Sequence, residues 1–273
     1  MIPGLKTQQS TIVVQQGQRT IFTDHPEGTE HFRAAIEQRV NQISQEIRSQ
    51  IRTVMIGDIH ADSPDVNPTQ AGACTRYMLE TFSRTTSIVA NPGKSQIALG
   101  ETFWQQQLKS LGILQLNLAE IRMLLSAFLT RDRLIDIINW LNQQLITAVI
   151  TLDRLGAVAT YKDGKDGVIL ASSVELGEDV IDTTGAGDAF AAALASQLQP
   201  GFFFDDLLEA MTQARTWAAY ACRYLGGSAN CPTQKQLMDF EQNIANQEQN
   251  FLSVEVIEPT IIEPILQIID KAY

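Results

Sequence analysis

A glycine-rich stretch at residues 182–188 combines an anion-binding turn with a carboxylate. Its sequence is DTTGAGD, and an alanine-rich segment follows that we predict to be a helix from about Asp188 to Leu198. Gly185 and Gly187 let the backbone turn tightly beside a ligand, and the N–H groups at a helix start, with that of Ala186, favour phosphate. Asp188 is placed to take the proton of an attacking hydroxyl. Phosphoryl transfer to an alcohol needs this combination of anion site and base.

The same stretch has a simpler interpretation. A Gly-Ala-Gly turn can serve only as a tight connection between a strand and a helix. An aspartate in the first turn of a helix stabilises the helix dipole whether or not it does chemistry.

A second pair of candidate residues follows the predicted strand Ile113–Leu116. Asn117 and Glu120 are three residues apart, so both can lie on one side of a helix start. There Glu120 could hold Mg²⁺ through water, because Mg²⁺ prefers few protein ligands plus phosphate oxygens. The alternative is a capping box, in which the two side chains satisfy backbone N–H groups.

Two further stretches have compositions that suit a nucleotide site. Thr151 to Gly156 leaves the predicted strand Ala148–Ile150, and Gly226 to Pro232 follows a long predicted helix. Taken alone, the first is an ordinary exit from a strand into a turn. The second is a glycine helix stop followed by a proline.

Strands that alternate with helices must position these residues. The predicted strands are Thr53–Ile59, Ser87–Ala90, Ile113–Leu116, Ala148–Thr151 and one directly before the glycine-rich stretch. Two hairpins are also predicted. In the first, Thr11–Gln15 pairs with Arg19–Thr23, and in the second, Ala157–Tyr161 pairs with Val168–Ala171. The predicted helices are Thr29–Ile51, one ending near Arg84, Glu101–Ser110, one from Leu118, Arg131–Gln144, Asp188–Leu198, Asp205–Tyr224 and one from Thr233. This alternation predicts a doubly wound α/β sheet. Ligands bind beyond the carboxyl ends of its strands, so three of the candidate stretches should meet at one crevice.

The stretch at residues 182–188, with the small residues that follow it, resembles the C-terminal signature of the PfkB (ribokinase-like) carbohydrate kinases. The Asn117/Glu120 pair, Thr151–Gly156 and Gly226–Pro232 occur in the order of the family's other landmarks. The resemblance covers about Thr11 to Pro232. It implies a three-layer α/β/α fold and an ATP-dependent kinase.

The resemblance also implies roles for individual residues. Asp188 would be the catalytic base, and the amides of Gly185, Ala186 and Gly187 would stabilise the transferred phosphoryl group. Asn117, Thr151, Gly156, Gly187 and Gly226 would bind ATP, and Glu120 would hold Mg²⁺. The residues implied for a monovalent cation such as K⁺ are Asp182, Thr184 and Asn230, while a structural role for Asp182 in its own loop stays open.

The sequence departs from the family pattern at two places. Asp153 replaces the usual first glycine of the Thr151–Gly156 stretch. The family's sugar-binding Gly-Gly segment and most of its β-sheet lid have no counterpart here. We therefore expect residues 1–28 to be a remnant of the lid, 29–240 to be the catalytic domain and 241–273 to be a C-terminal helical extension. An unpaired sheet edge and association into a homodimer are then to be expected.

The composition limits the class of protein. The chain has 273 residues, 44% hydrophobic and 19% charged, as is ordinary for a globular protein. Its net charge of −11 argues against a general nucleic-acid or anionic-membrane surface. Three scattered cysteines and the lack of a signal peptide or a membrane-spanning apolar run indicate a cytoplasmic protein with reduced thiols.

Two functional hypotheses follow. The first is an ATP-dependent kinase that phosphorylates an alcohol group of a sugar or nucleoside. The second is a truncated relative that binds a nucleotide or a partner subunit without catalysis. A nucleotide-binding α/β protein unrelated to kinases is a weaker third, because the order of the four motifs counts against it.

Overall fold

The computed structural model describes residues 10–15, 18–23, 31–129, 132–163, 168–227, 231–245, 254–257 and 259–272. The strands are β1 Ser10–Gln15, β2 Gln18–Thr23, β3 Thr53–Ile56, β4 Ser87–Ala90, β5 Ile113–Asn117, β6 Ala148–Thr151, β7 Ala157–Thr160, β8 Val168–Ala171 and β9 Val254–Ile257. The α-helices are α1 Phe32–Gln42, α2 Gln45–Gln50, α3 Ala73–Phe82, α4 Lys94–Ile97, α5 Gly100–Gln107, α6 Leu118–Leu125, α7 Leu134–Gln143, α8 Ala186–Gln197, α9 Phe204–Ala221, α10 Gln234–Ala245 and α11 Pro259–Ala272.

A seven-stranded mixed sheet runs through the centre of the molecule in the order β3-β4-β5-β6-β7-β8-β9. The first four strands are parallel, and β7, β8 and β9 continue the sheet in antiparallel pairs. Among the described residues β3 pairs on one side only, so it is an edge strand.

Helices cover both faces of this sheet. On β6, Ala148 and Ile150 point into a core formed with α5, α6, α7 and α11, while Val149 points into a core formed with α8 and α9. Successive strand residues face opposite sides, so a short strand of small and branched residues can serve both cores. The predicted three-layer α/β arrangement is confirmed.

The predicted N-terminal hairpin is also present. β1 and β2 are antiparallel, with Ser10 opposite Thr23 and Gln15 opposite Gln18. The interpretation of this hairpin as part of a lid stays a prediction.

The single helix predicted from Thr29 to Ile51 is wrong, because α1 and α2 are separate. Ile43 between them is extended, with ψ of 119°, and the hydroxyl of Ser44 accepts a hydrogen bond from the N–H of Ile47 at 3.2 Å. This serine therefore caps α2. The apolar spacing continues across the break, which is why the sequence pattern did not show it.

The strand predicted directly before residue 182 is absent, since none of residues 172–185 belongs to a strand. The N–H groups of Ile181 and Asp182 instead donate to the carbonyl of Cys222, at 2.8 and 3.2 Å. This segment is therefore bound to the end of α9 and not to the sheet.

The C-terminal segment is more than a helical extension. The boundary expected after residue 240 falls inside α10, and β9 then pairs with β8, with Ile257 opposite Val168. Helix α11 packs on the core through Ile262, Leu266 and Ile269. Within the described residues, no helix has the length and apolar character that crossing a membrane requires.

Candidate active site

A large cleft opens at the carboxyl ends of the parallel strands. Asn117 ends β5 and lies opposite Thr151, which ends β6. The cleft encloses about 1340 Å³, and the predicted site residues that line it are Asn117, Glu120, Thr151, Gly156, Gly185, Ala186, Gly187 and Asp188. The structure thus brings the glycine-rich stretch, the Asn117/Glu120 pair and the loop after β6 to one place.

The start of α8 forms one wall of the cleft. The helix begins two residues earlier than predicted, at Ala186, so Asp188 lies in its first turn and is exposed. Within the described part of the chain, the N–H groups of Gly187 and Asp188 have no hydrogen-bond partner, whereas that of Ala186 donates to the carbonyl of Thr183 at 3.3 Å. Gly187 and Asp188 therefore supply the more available donors for an anion at this positively polarised helix end.

Asp182 fixes the loop that leads into α8. Its Oδ1 accepts a hydrogen bond from the N–H of Thr184 at 2.9 Å, and its Oδ2 accepts one from the N–H of Gly226 at 3.0 Å. Asp182, Thr184 and Gly226 do not line the cleft. They stabilise the loop from behind, as the structural interpretation of Asp182 expects. Asn230 lies outside the described residues.

Asn117 and Glu120 form the capping box that the spacing allows. Glu120 Oε2 accepts from the N–H of Asn117 at 3.0 Å, and Asn117 Oδ1 accepts from the N–H of Glu120 at 2.9 Å. Both residues nevertheless line the cleft. The cap fixes the carboxylate and uses only Oε2, so the second oxygen fits an outer contact to Mg²⁺. No group of three His, Cys, Asp or Glu side chains gathers around a common point in the described structure.

The loop after β6 tolerates the replacement of glycine by Asp153. This residue takes a left-handed φ of +45°, so it adopts a backbone conformation that favours glycine. At the end of the loop, Gly156 has φ of +103°, and a Cβ there would collide with the carbonyl oxygen of Ala171. Gly156 is therefore required where the loop meets the end of β8.

Sequence reasoning assigned no role to Asn91 and Arg215, two polar residues that also line the cleft. Asn91 follows β4, and its Nδ2 donates to the carbonyl of Gln115 at 3.0 Å. Its position after a strand could have identified it, but its proline and glycine neighbours indicated mainly a turn. Arg215, on α9, had no such signal. It is only 4% exposed, and burial lowers the pKa of its guanidinium from the ordinary value.

Comparison with known protein families matches residues 2–234 to the description pfkB family carbohydrate kinase. The chain belongs to this family. The match includes the glycine-rich stretch, the capping-box pair and the loop after β6, so the resemblance inferred from those motifs is confirmed. A search of curated protein sequences finds no match.

Solved structures of nucleoside kinases and of a fructokinase have the same fold. The nucleoside kinase of Burkholderia thailandensis, in complex with inosine, superposes with a TM-score of 0.64 at 16% identity, over 88% of this chain and 70% of that one. The Methanocaldococcus jannaschii nucleoside kinase is described as an archaeal member of the ribokinase family. It superposes with a TM-score of 0.61 at 16% identity, over 88% of this chain and 69% of that one. Fructokinase from Vibrio cholerae O395, with fructose, ADP and calcium bound, superposes with a TM-score of 0.58 at 18% identity, over 85% of this chain and 72% of that one.

Proposed function

We propose that this chain transfers the terminal phosphoryl group of a purine nucleoside triphosphate to a hydroxyl group of a sugar or nucleoside. ATP is the donor that the family implies. The single observation that carries the proposal is the position of Asp188. Its carboxylate lies in the first turn of α8, in the same cleft as the Asn117/Glu120 pair and beside the N–H of Gly187, which has no partner among the described residues.

The proposed step is an in-line displacement at the γ-phosphorus. Asp188 accepts the proton of the acceptor hydroxyl as that oxygen bonds to phosphorus, and the bond from phosphorus to the β–γ bridging oxygen breaks to release the nucleoside diphosphate. The N–H groups at the start of α8 stabilise the charge on the transferred group. Mg²⁺, when bound, neutralises the phosphate oxygens, and Glu120 would hold it through water.

Phosphoryl transfer depends mainly on positioning and electrostatics, and the cleft supports both. Gly185 and Asp182 fix the start of α8, and the cap on α6 fixes Glu120. These contacts hold an anion site, a base and an acidic side chain on well-packed elements.

The test is an ADP-release assay over a panel of sugars and nucleosides with Mg²⁺ and ATP. We expect turnover with at least one acceptor, and we expect Asp188→Asn to lower kcat by 10³-fold or more, on the order expected when a catalytic proton acceptor is lost. Asp205→Asn is the matched control, because Asp205 is an exposed carboxylate in the first turn of α9, outside the cleft. Substantial residual turnover in Asp188→Asn would contradict its role as base.

The second hypothesis, a relative that binds a nucleotide or a partner subunit without catalysis, predicts a different result in the same experiment when the ligand is a nucleotide. Calorimetry with the Mg²⁺ complex of a non-hydrolysable ATP analogue would detect binding, while no acceptor on the panel would give turnover. Absence of binding by the folded protein would contradict the kinase hypothesis and would leave, of the second hypothesis, only the binding of a partner subunit.

A monovalent cation, K⁺ in particular, belongs to the proposal. Asp182 is its first candidate ligand, although both carboxylate oxygens already accept backbone N–H groups and would have to share them. Activity in KCl should exceed activity in choline chloride at equal ionic strength. Equal activity in the two salts would remove the cation from the mechanism.

We further propose that the protein is cytoplasmic and that it can form a homodimer. The edge strand β3, which has a partner on one side only within the described structure, supports the second point. Sedimentation velocity over a range of protein concentrations tests the proposed homodimer. A protein that is monomeric at every concentration would contradict it.

A further inference from the structure

One face of α9 forms a wall of the cleft. Arg215, Ala218, Ala219 and Cys222 all line the cleft, and their spacing of three, four and seven residues places them on one side of the helix. The two alanines leave space in the middle of this wall. Arg215 is the charged residue at its inner end.

The guanidinium of Arg215 is buried with part of its hydrogen-bonding capacity unused. Its Nη1 donates to the carbonyl of Ser172 at 3.1 Å, with the Ser172 hydroxyl at 3.4 Å. Its Nε and Nη2 are buried and have no hydrogen-bond partner among the described residues. An arginine remains charged at neutral pH, and a buried cation without partners is costly, so the cleft is incomplete around this group.

The two nitrogens without partners lie on the same edge of the guanidinium. Nε–H and the neighbouring Nη2–H of any arginine point in nearly the same direction and form a fork for two adjacent acceptor atoms. The bond from Nη1 to Ser172 anchors the opposite corner. The orientation of the fork is therefore fixed by the end of β8.

Arg215 and the start of α8 line the same cleft, so one extended nucleotide could contact both. Phosphate would bind at the start of α8, and the loop before that helix is held to the end of α9 by the bonds from Ile181 and Asp182 to the carbonyl of Cys222. Arg215 lies seven residues before Cys222, about 10 Å along the helix axis. That separation is comparable to the span of an extended triphosphate and ribose. Val174 and Leu176 provide an apolar side to the cleft together with Ala218 and Ala219, which suits a flat ring.

We propose that Arg215 binds the edge of the donor base, and that this chain prefers a 6-oxopurine nucleoside triphosphate, GTP or ITP, over ATP. The inference rests on the function proposed above. The six-membered ring edge of guanine or hypoxanthine offers O6 and N7, two adjacent acceptors that match the fork. Adenine also offers N7 as an acceptor, but its N6 amino group is a donor. The second N–H of the Arg215 fork would face this donor and would remain without an acceptor.

The test compares two ligands that differ in the base edge. Imido analogues of ATP and ITP, each with Mg²⁺, are titrated into the full chain by calorimetry, and the ratio of the two dissociation constants is taken. We expect the ITP analogue to bind about tenfold more tightly, in the range for one bidentate arginine–base pair. Equal binding, or tighter binding of the ATP analogue, would overturn the inference and leave the proposed kinase activity intact.

Two variants separate base reading from a structural role of Arg215. Arg215→Lys keeps a positive charge but has no fork, so the preference should disappear. Arg215→Gln presents one donor and one acceptor, which matches adenine, so the preference should reverse toward ATP. The ratio of constants does not depend on the fraction of protein that is active, and near-UV circular dichroism checks folding. An unchanged ratio in both variants would contradict the inference, and failure of both analogues to bind the folded wild type would contradict the proposed function as well.

Discussion

The backbone of Gly185 packs directly against that of Gly227. A Cβ placed on Gly185 would lie 2.5 Å from the Cα of Gly227 and 2.7 Å from its carbonyl oxygen. This contact joins the turn before α8 to the segment after α9. The hydrogen bond from the N–H of Gly226 to Asp182 strengthens the same junction. The geometry of the anion site therefore depends on a contact between two loops that are distant in the sequence.

Gly185→Ala should destabilise the protein by about 3 kcal/mol. The φ of +81° strains any residue with a side chain, and the new methyl group would collide with the backbone of Gly227. Urea denaturation measures the change in the free energy of unfolding. Gly187→Ala is the matched control, because Gly187 has no positive φ and a Cβ there meets nothing within 4 Å. An alanine in α8 should leave stability unchanged or raise it by up to about 1 kcal/mol. Equal losses in the two variants would contradict the packing argument.

Asp182→Ala should lower the free energy of unfolding by about 2 kcal/mol, because two backbone N–H groups lose a charged acceptor. Asp182→Asn keeps one side-chain oxygen as an acceptor and should lose about half as much. Thermal denaturation of the two variants beside the wild type provides the measurement. If Asp182→Ala were as stable as the wild type, Asp182 would not be the group that holds this loop.

Glu120→Gln distinguishes the role of Glu120 in capping α6 from its proposed contact to Mg²⁺. A glutamine oxygen can still accept from the N–H of Asn117, so stability should change by less than about 0.5 kcal/mol. The loss of charge should weaken binding of the Mg²⁺–nucleotide complex by about tenfold, while binding of the nucleotide in EDTA stays the same. Calorimetry with and without Mg²⁺ tests this. Unchanged affinity in both conditions would mean that Glu120 only caps the helix.

The buried thiol of Cys74 should make the protein less stable at alkaline pH. Burial, with a smaller effect of Asp62, raises the pKa of this thiol from 9.0 to about 12. Between these two values the unfolded chain has lost the thiol proton and the folded chain has kept it. The free energy of unfolding should therefore fall as pH rises through this range, by at most about 1.4 kcal/mol per pH unit from this group.

Other groups also titrate in alkali, so the comparison is between variants. The difference in unfolding free energy between wild type and Cys74→Ala should shrink or reverse from pH 8.5 to pH 10.5. Cys231→Ala, at an exposed thiol, should keep a constant difference from the wild type. Parallel pH profiles for all three proteins would contradict the assignment.

Local pattern in the sequence determined most of the fold and part of the site. Alternating apolar strands and amphipathic helices predicted the α/β sheet, because periodicity reports which residues must be buried. Residues that end neighbouring parallel strands must share one edge of the sheet, so Asn117 and Thr151 could be expected to meet. The glycine-rich stretch predicted its own chemistry through glycine turns and free helix N–H groups.

Only the tertiary structure decided the rest, because those features depend on contacts between distant segments. β9 belongs to the sheet because it pairs with the edge of β8, and a run of only four residues does not by itself specify a strand. Gly156 must be a glycine because the end of β8 lies against it, and Asp182 is held by the segment after α9. Arg215 looks like any charged residue of a surface helix until packing buries it beside Ser172 in the cleft. Sequence periodicity shows which face of an element is buried, but the partner that each polar group meets there is fixed only when the elements pack together.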